Sequence, residues 1–202
     1  MIKNIIFDFG DVFLDLDKTA TIRELERLEA KELSEEILEN NRKYEKGLIT
    51  SEEIIDCYCS TFPRLSKEDF TSSWNAMLLR FPEHRLRFLQ QLAKEGKYKL
   101  ILLSNTNDIH IEWVKQNIPF FEEFRKSFDA FYLSQEINLR KPDHSIYEFV
   151  LKQHNLNPEE TLFIDDTPEN TAAAAELNIH TWNIDPAKED VVDLFRVKKE
   201  MF

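Results

Sequence analysis

Glycine, cysteine and positive charge are all scarce in this chain, and each shortage narrows what the protein can be. Only three glycines occur in 202 residues: Gly10, Gly47 and Gly96. Gly96 closes a helical pattern, where a left-handed C-cap is expected. Gly47 is expected to break the helix that contains Tyr44-Glu45-Lys46. Gly10 falls two residues after Asp8, where the chain must turn off the end of an apolar run, and glycine allows close backbone approach there. Cysteine is limited to Cys57 and Cys59. Residues two apart on a helix do not face each other, and no third cysteine or nearby histidine completes a zinc set. They read as free thiols of a reducing compartment, so a cytoplasmic location is expected. Lys and Arg number 26 against 38 Asp and Glu, a formal charge of -12. Such a chain repels nucleic acid and anionic lipid, so neither is expected as a partner. A phosphate site would need its own local positive charge. Long hydrophobic runs are absent too: no stretch approaches the roughly 20 apolar residues of a membrane span. Met1-Ile2-Lys3-Asn4 leads into a three-residue apolar run, far short of a signal-peptide core.

What the chain does have is a set of short apolar runs that stop at polar groups. Ile5-Ile6-Phe7 runs into Asp8. Leu100-Ile101-Leu102-Leu103 runs into Ser104-Asn105. Leu162-Phe163-Ile164 runs into Asp165-Asp166, and Lys141-Pro142 lies a few residues beyond Phe131-Tyr132-Leu133. Runs of this kind read as buried parallel strands. In open α/β sheets, sites form beyond the carboxyl ends of the strands. An Asp, a Ser-Asn, a Lys and an Asp-Asp brought to one point suit a metal ion together with a phosphate.

The pattern along the chain supports an α/β fold with a Rossmann-like parallel sheet and an inserted all-helical unit. A strand is expected near 4–9 and a loop over 10–17. Residues 18–79 are helical and heavily charged in pattern, with Leu25, Leu28, Leu33, Ile37 and Leu38 at helical intervals. Thr50 or Ser51 with Glu53, and Ser66 with Asp69, read as helix starts. The predicted division is a core of 1–16 and 80–202 around a helical cap of 17–79. Beyond Pro82 come a helix at 83–95, a strand at 98–103, a helix at 108–117 and an irregular Phe-rich stretch. A strand at 129–133, a helix at 143–154 and a strand at 161–164 follow. Pro168 opens a helix at 169–177; a strand at 179–184 and a last helix at 187–199 end the chain. Alternation of this kind implies a parallel sheet covered on both faces.

The pieces Phe7-Asp8-Phe9-Gly10-Asp11-Val12, Ser104-Asn105, Arg140-Lys141-Pro142-Asp143 and Phe163-Ile164-Asp165-Asp166 with Asn170 occur in an order that resembles the haloacid dehalogenase-like hydrolases. The likeness is to the branch with a helical cap after the first strand, including sugar-phosphate phosphatases with an Asp-x-Gly motif. The resemblance implies Mg2+-dependent hydrolysis of a small phosphorylated metabolite through an aspartyl-phosphate. It implies Asp8 as nucleophile, and Mg2+ held by Asp8, the Gly10 carbonyl and Asp166. Asp165 and Asn170 would hold the metal waters, and Ser104 and Asn105 would donate to phosphoryl oxygens. Lys141 would balance charge on the phosphate and on Asp8. Each residue also has a plain structural reading. Asp8 could turn the chain, Ser104-Asn105 could cap the helix at 108, Lys141 could be a solvated loop lysine, and Asp165-Asp166-Thr167 could cap the helix after Pro168.

One position departs from the family. Active phosphatases of this kind usually carry a second Asp two residues after the nucleophile, to protonate the leaving alkoxide and activate water; here it is Gly10. Losing a general acid costs roughly 10²–10⁴-fold. Asp11 is the nearest substitute, though its side chain would leave the backbone in a different direction. Two rival functions follow: a dehalogenase, whose halide leaves without a proton, and a non-catalytic binding protein that kept the fold. Phe13, Leu14, Tyr44, Trp74 and Met77 are candidates to line the mouth, with core packing the leading role for each.

Overall fold

A computed structural model describes all 202 residues. Its centre is a five-stranded parallel sheet in the order β3-β2-β1-β4-β5. The strands are β1 (Asn4–Phe7), β2 (Lys99–Ser104), β3 (Ala130–Leu133), β4 (Thr161–Asp165) and β5 (His180–Asn183). Alternate residues feed opposite faces, as the two-residue period of a strand requires. Ile5, Phe7, Leu100, Leu102, Leu162 and Ile164 enter one core cluster. Ile6, Ile101, Leu103 and Phe163 enter a second, which packs on Ile146, Tyr147 and Val150 and on Ala173 and Ala174. The apolar runs are continuous in sequence because both faces are buried.

The chain starts at the middle of the sheet, winds outward through β2 and β3, then returns to place β4 on the other side of β1. The switch point therefore lies between β1 and β4, where ligands of such sheets bind. Phe7 is in register with Ile164, and the Asp8 amide still donates to the Ile164 carbonyl at 2.9 Å. The strand itself ends at Phe7 rather than at residue 9, because the chain turns into the loop that carries Gly10.

Four helices lie between β1 and the next core element: α1 (Ala20–Arg27), α2 (Glu35–Glu45), α3 (Ser51–Thr61) and α4 (Lys67–Asn75). Thr50 and Glu53 form a reciprocal capping box at the start of α3, and the Ser66 side chain caps α4 through Asp69. These helices share a small core containing Leu25, Ile37, Tyr44, Ile54, Tyr58, Phe70 and Trp74. The two connecting segments run side by side: Asp15 donates to the Arg80 carbonyl, and Leu79 donates to the Asp15 carbonyl.

The remaining helices are α5 (Glu83–Glu95), α6 (Asp108–Asn117), α7 (Phe121–Lys126), α8 (Ser134–Ile137), α9 (His144–His154), α10 (Pro168–Glu176) and α11 (Leu194–Val197). Gly96 caps α5 in the left-handed region and Pro168 opens α10, as read from sequence. No helix is long and apolar enough to cross a membrane.

Two readings need correction. The Phe-rich stretch is not irregular: α7 forms within it because Phe120, Phe121, Phe124 and Phe128 recur at helical spacing. Their rings pack with Phe9, Phe13 and Phe81; Phe124 lies 5.0 Å from Phe13 and 5.2 Å from Phe9 between centroids. This aromatic cluster braces the loop after β1. The long C-terminal helix expected at 187–199 is instead a 3-10 turn, the single turn of α11 and another 3-10 turn. Asp190 interrupts it: its backbone is extended, and its carboxylate accepts from the Val192 amide and pairs with His84 and Arg85. Such local side-chain acceptors compete with helix hydrogen bonds.

Candidate active site

The tips of β1 and β4 put Asp8 and Asp165 side by side, and Lys141 reaches both from the loop after β3. Lys141 Nζ lies 2.7 Å from Asp8 and 2.6 Å from Asp165, and the lysine is 1 % exposed. A cation this deeply buried has to be compensated, so the lysine is no solvated loop residue. Burial alone would lower its pKa, but Asp165 and Asp8 outweigh that and hold the ammonium above its usual range. Burial is the leading influence on Asp8 and pushes it up to about 7; Lys141 pulls the other way, and the Asp165 charge adds to the rise.

Lys141 is placed by its backbone as well. Asn105 accepts from the Lys141 amide and donates to the Lys141 carbonyl, both at 2.9 Å. The Asn105 side chain thus fixes the lysine through Oδ1 and one Nδ2 hydrogen, and the residue also lines the cavity at Asp8. Ser104 is 3 % exposed and does not line the cavity around Asp8.

Asp165 is fully enclosed by donors. One oxygen accepts from the Thr167 amide at 2.8 Å, the other from Lys141, and Asn170 Nδ2 bridges both at 3.0 and 3.1 Å. It caps the turn into α10 and anchors the lysine at once. Asp165 accepts from both Asn170 and Lys141, and Asn170 itself reaches the cavity wall.

Asp166 is the carboxylate that faces the cavity. Oxygens of Asp8, Asp165 and Asp166 all lie within 4.8 Å of one another. Burial raises the Asp166 pKa, and Lys18 opposes the rise. Lys18, half exposed at the start of the helical insert, forms an ion pair with Asp166 and lies 3.4 Å from Asp11. Sequence reading missed Lys18, since nothing in its neighbourhood separates it from the insert's many surface charges. Hard carboxylate oxygens at this spacing are the donor set that Mg2+ prefers. With Asp165 saturated by protein donors, Asp8 and Asp166 are the residues fitted to hold such an ion directly.

The cavity in front of Asp8 has a volume of about 460 Å³. Gly10, Leu16, Lys18, Asn105, Lys141, Asp166 and Asn170 contribute to its wall, with Glu45 from the helical insert and Arg140 facing it. Leu16 and the Pro142 ring are its apolar side chains. The apolar mouth candidates lie elsewhere: Phe13, Leu14 and Tyr44 are at most 1 % exposed, Trp74 is in the insert's core, and Met77 packs on the main one. No histidine lines the cavity.

A Cβ added at Gly10 would meet Leu16 Cδ1 at 2.7 Å, so the loop is folded around the missing side chain. Asp11 follows in the left-handed region, φ 54°. Its Oδ1 accepts from the Leu16 amide at 2.9 Å, and it lines a neighbouring cavity with Asp15, Arg80 and Arg85 rather than the one at Asp8. Asp11 thus closes the loop and, apart from Lys18, has no polar partner in the site.

Comparison with known proteins agrees with this geometry. The family model for haloacid dehalogenase-like hydrolases matches residues 2–178. The chain is 28 % identical over 194 residues to the D-ribitol-5-phosphate phosphatase of Bacteroides thetaiotaomicron, covering 90 % of this chain and 91 % of that protein. A HAD family enzyme of the same organism, solved with magnesium and inorganic phosphate, superposes with a TM-score of 0.82 at 35 % identity, covering 97 % of this chain and 100 % of that one. A predicted HAD-like hydrolase from Porphyromonas gingivalis superposes with a TM-score of 0.84 at 26 % identity over 98 % of each chain.

Proposed function

The chain belongs to the haloacid dehalogenase-like hydrolases, and on that premise we propose that it is a Mg2+-dependent phosphatase of small phosphate monoesters, with sugar or alditol phosphates as the substrate class. One observation carries this reading: Lys141 sits between Asp8 and Asp165 in a buried cluster that also brings Asp166 within ligand distance. Around the cavity, the carboxylates of Asp8, Glu45, Asp166 and Glu169 outnumber the cations Lys18, Arg140 and Lys141. A phosphate monoester carries nearly two further negative charges. The site therefore favours that substrate only with a divalent cation beside Asp8 and Asp166. Bound there, Mg2+ would neutralise the two carboxylates and draw charge from a phosphoryl oxygen. Lys18 would then exchange Asp166 for Asp11, its other carboxylate neighbour.

Asp8 acts as the nucleophile in this reading. Its oxygen bonds to phosphorus as the ester P–O bond breaks, and the leaving group departs as an alkoxide that takes its proton from water. Water then attacks phosphorus, freeing inorganic phosphate and restoring Asp8. Lys141 opposes protonation of Asp8, holds it in place and offsets the phosphoryl charge in a dry setting. Asp165 and Asn170 fix Lys141, and Asn105 fixes its backbone. The leaving oxygen has no carboxylate at position 10 to protonate it, so the chemical step is fastest for stable leaving anions, while the choice among sugar and alkyl esters falls to binding. Dehalogenation would leave the cluster of Asp166 with Asp8 and Asp165 without a purpose. The relatives' magnesium and ribitol phosphate are consistent with the proposal.

Turnover of 4-nitrophenyl phosphate with magnesium and with a chelator tests the reading. Hydrolysis that the chelator abolishes is expected. Absence of turnover with magnesium, or indifference to the chelator, would refute it.

A further inference from the structure

The C-terminal end of α2 is fastened to the core segment that carries Arg140 and Lys141. Lys46 Nζ pairs with Asp143 at 2.8 Å. Asn138 Nδ2 donates to the Lys46 carbonyl at 2.7 Å. Gly47, at φ +63°, comes so close to the core that a Cβ there would lie 2.1 Å from the Gln135 carbonyl oxygen. Only glycine satisfies both the dihedral and the contact. Between these fixed points, Glu45 and Arg140 meet across the cavity that holds Asp8.

Their geometry is one-sided. Both Arg140 Nε and Nη2 lie 2.8 Å from the same oxygen, Oε2 of Glu45. Glu45 Oε1 and Arg140 Nη1 make no hydrogen bond. The pair thus keeps one strong acceptor and one strong donor in reserve, on side chains 32 % and 25 % exposed.

We propose that Glu45 and Arg140 are the specificity-determining pair for an uncharged, polyhydroxylated leaving group. One hydroxyl of a vicinal diol donates to Glu45 Oε1 while its neighbour accepts from Arg140 Nη1. This inference rests on the phosphatase reading and deepens it. A second anionic group is disfavoured, because Glu45 already neutralises Arg140 and would repel it. An aromatic or alkyl group finds only Leu16 and the Pro142 ring to pack against. A hydroxyl, which both donates and accepts, is the group that satisfies both free atoms.

The test compares kcat/KM for D-ribitol 5-phosphate and 4-nitrophenyl phosphate in the parent chain, Glu45→Ala and Lys46→Ala. Loss of charge-assisted hydrogen bonds should lower the alditol-to-aryl ratio roughly tenfold or more in Glu45→Ala, chiefly through KM. Lys46→Ala breaks the adjacent fastening without touching the diol site, so the ratio should stay within about twofold. Equal loss on both substrates in Glu45→Ala, or an equal shift of the ratio in Lys46→Ala, would overturn the proposal and make the pair a mere fastening. Calorimetric titration of D-ribitol 5-phosphate into Asp8→Asn, with and without Glu45→Ala, reads recognition apart from turnover. Binding weakened about tenfold by the second change is expected; unchanged or undetectable binding would overturn the pair. A parent chain that turns over no phosphate ester sinks the phosphatase reading, while the titration still decides the recognition pair.

Discussion

The core side of the cavity and the side facing the helical insert hold charge in different ways. On the core side, Lys141 and Asp165 are 1 % and 0 % exposed by side chain, and each of their contacts is reinforced by a second residue. On the insert side, Lys18 is 50 % exposed and Glu45 32 %, and their pairs leave atoms free. Buried pairs cannot rearrange without exposing an uncompensated charge, whereas exposed pairs exchange partners at little cost. The first side is therefore suited to chemistry that is the same for every substrate. The second is suited to choosing the substrate and admitting the ion.

The sharpest break of this comparison is at Asp8. Asp8→Asn keeps the shape but removes the ionised oxygen, and turnover should fall by roughly 10³-fold or more with the fold intact. Activity above a few per cent of the parent, measured with an aryl phosphate, would take the nucleophile role from Asp8.

A second large effect is expected in stability. Lys141→Ala strands the Asp8 and Asp165 carboxylates together in the interior and should cost about 3–5 kcal/mol in metal-free urea unfolding. The exposed pair of Arg27 with Glu24 should be worth less than about 1 kcal/mol by the same measurement. Similar losses for Lys141→Ala and Arg27→Ala would erase the distinction between the two kinds of charge.

The loop after β1 offers a smaller and more selective test. With glycine at position 10 and Asp11 held by the Leu16 amide, the rate should depend steeply on leaving-group pKa. Gly10→Asp should speed alkyl phosphates by up to about 10²-fold relative to aryl phosphates. It should also cost about 1 kcal/mol, because Leu16 has to move. A shallow dependence in the parent that Asp11→Asn makes steep would instead assign the proton to Asp11.

A pH-dependent effect concerns the joint between insert and core. His110 on α6 meets the Trp74 carbonyl on α4 at 3.0 Å and the Asn107 amide at 3.1 Å. Burial lowers its pKa to about 4 from the usual 6.5. The native state thus keeps the ring neutral where the unfolded chain protonates it. Stability from this group is fully present above pH 6.5 and is lost as pH falls toward 4, by a few kcal/mol at most. His110→Gln should flatten the fall in Tm over that window relative to the parent. Parallel Tm curves would show that the joint is not acid-sensitive.

Legibility in the sequence followed the range of the interactions. The strands were readable because an apolar run buried on both faces has a local signature, and Asp8, Asp165 and Asp166 were readable because they sit directly on strand tips. The capping box of Thr50 and Glu53 is equally local. The shape of the C-terminal segment was not, since Asp190 is drawn to Arg85, distant in sequence. The partners of Asn105, Asp165 and Asn170 were not legible for a related reason: those partners come from other elements of the fold.

The sequence by itself determined a doubly covered parallel sheet, the helical nature of the insert and which polar groups reach the sheet edge, because burial and periodicity act over a few residues. Only the tertiary structure decided which of those groups remain free. Lys141 is locked between Asp8 and Asp165, Asp11 is turned into its own loop, and Glu45 is set against Arg140 by the glycine contact at Gln135. These outcomes depend on distances between segments far apart in the chain, and no local pattern encodes such a distance.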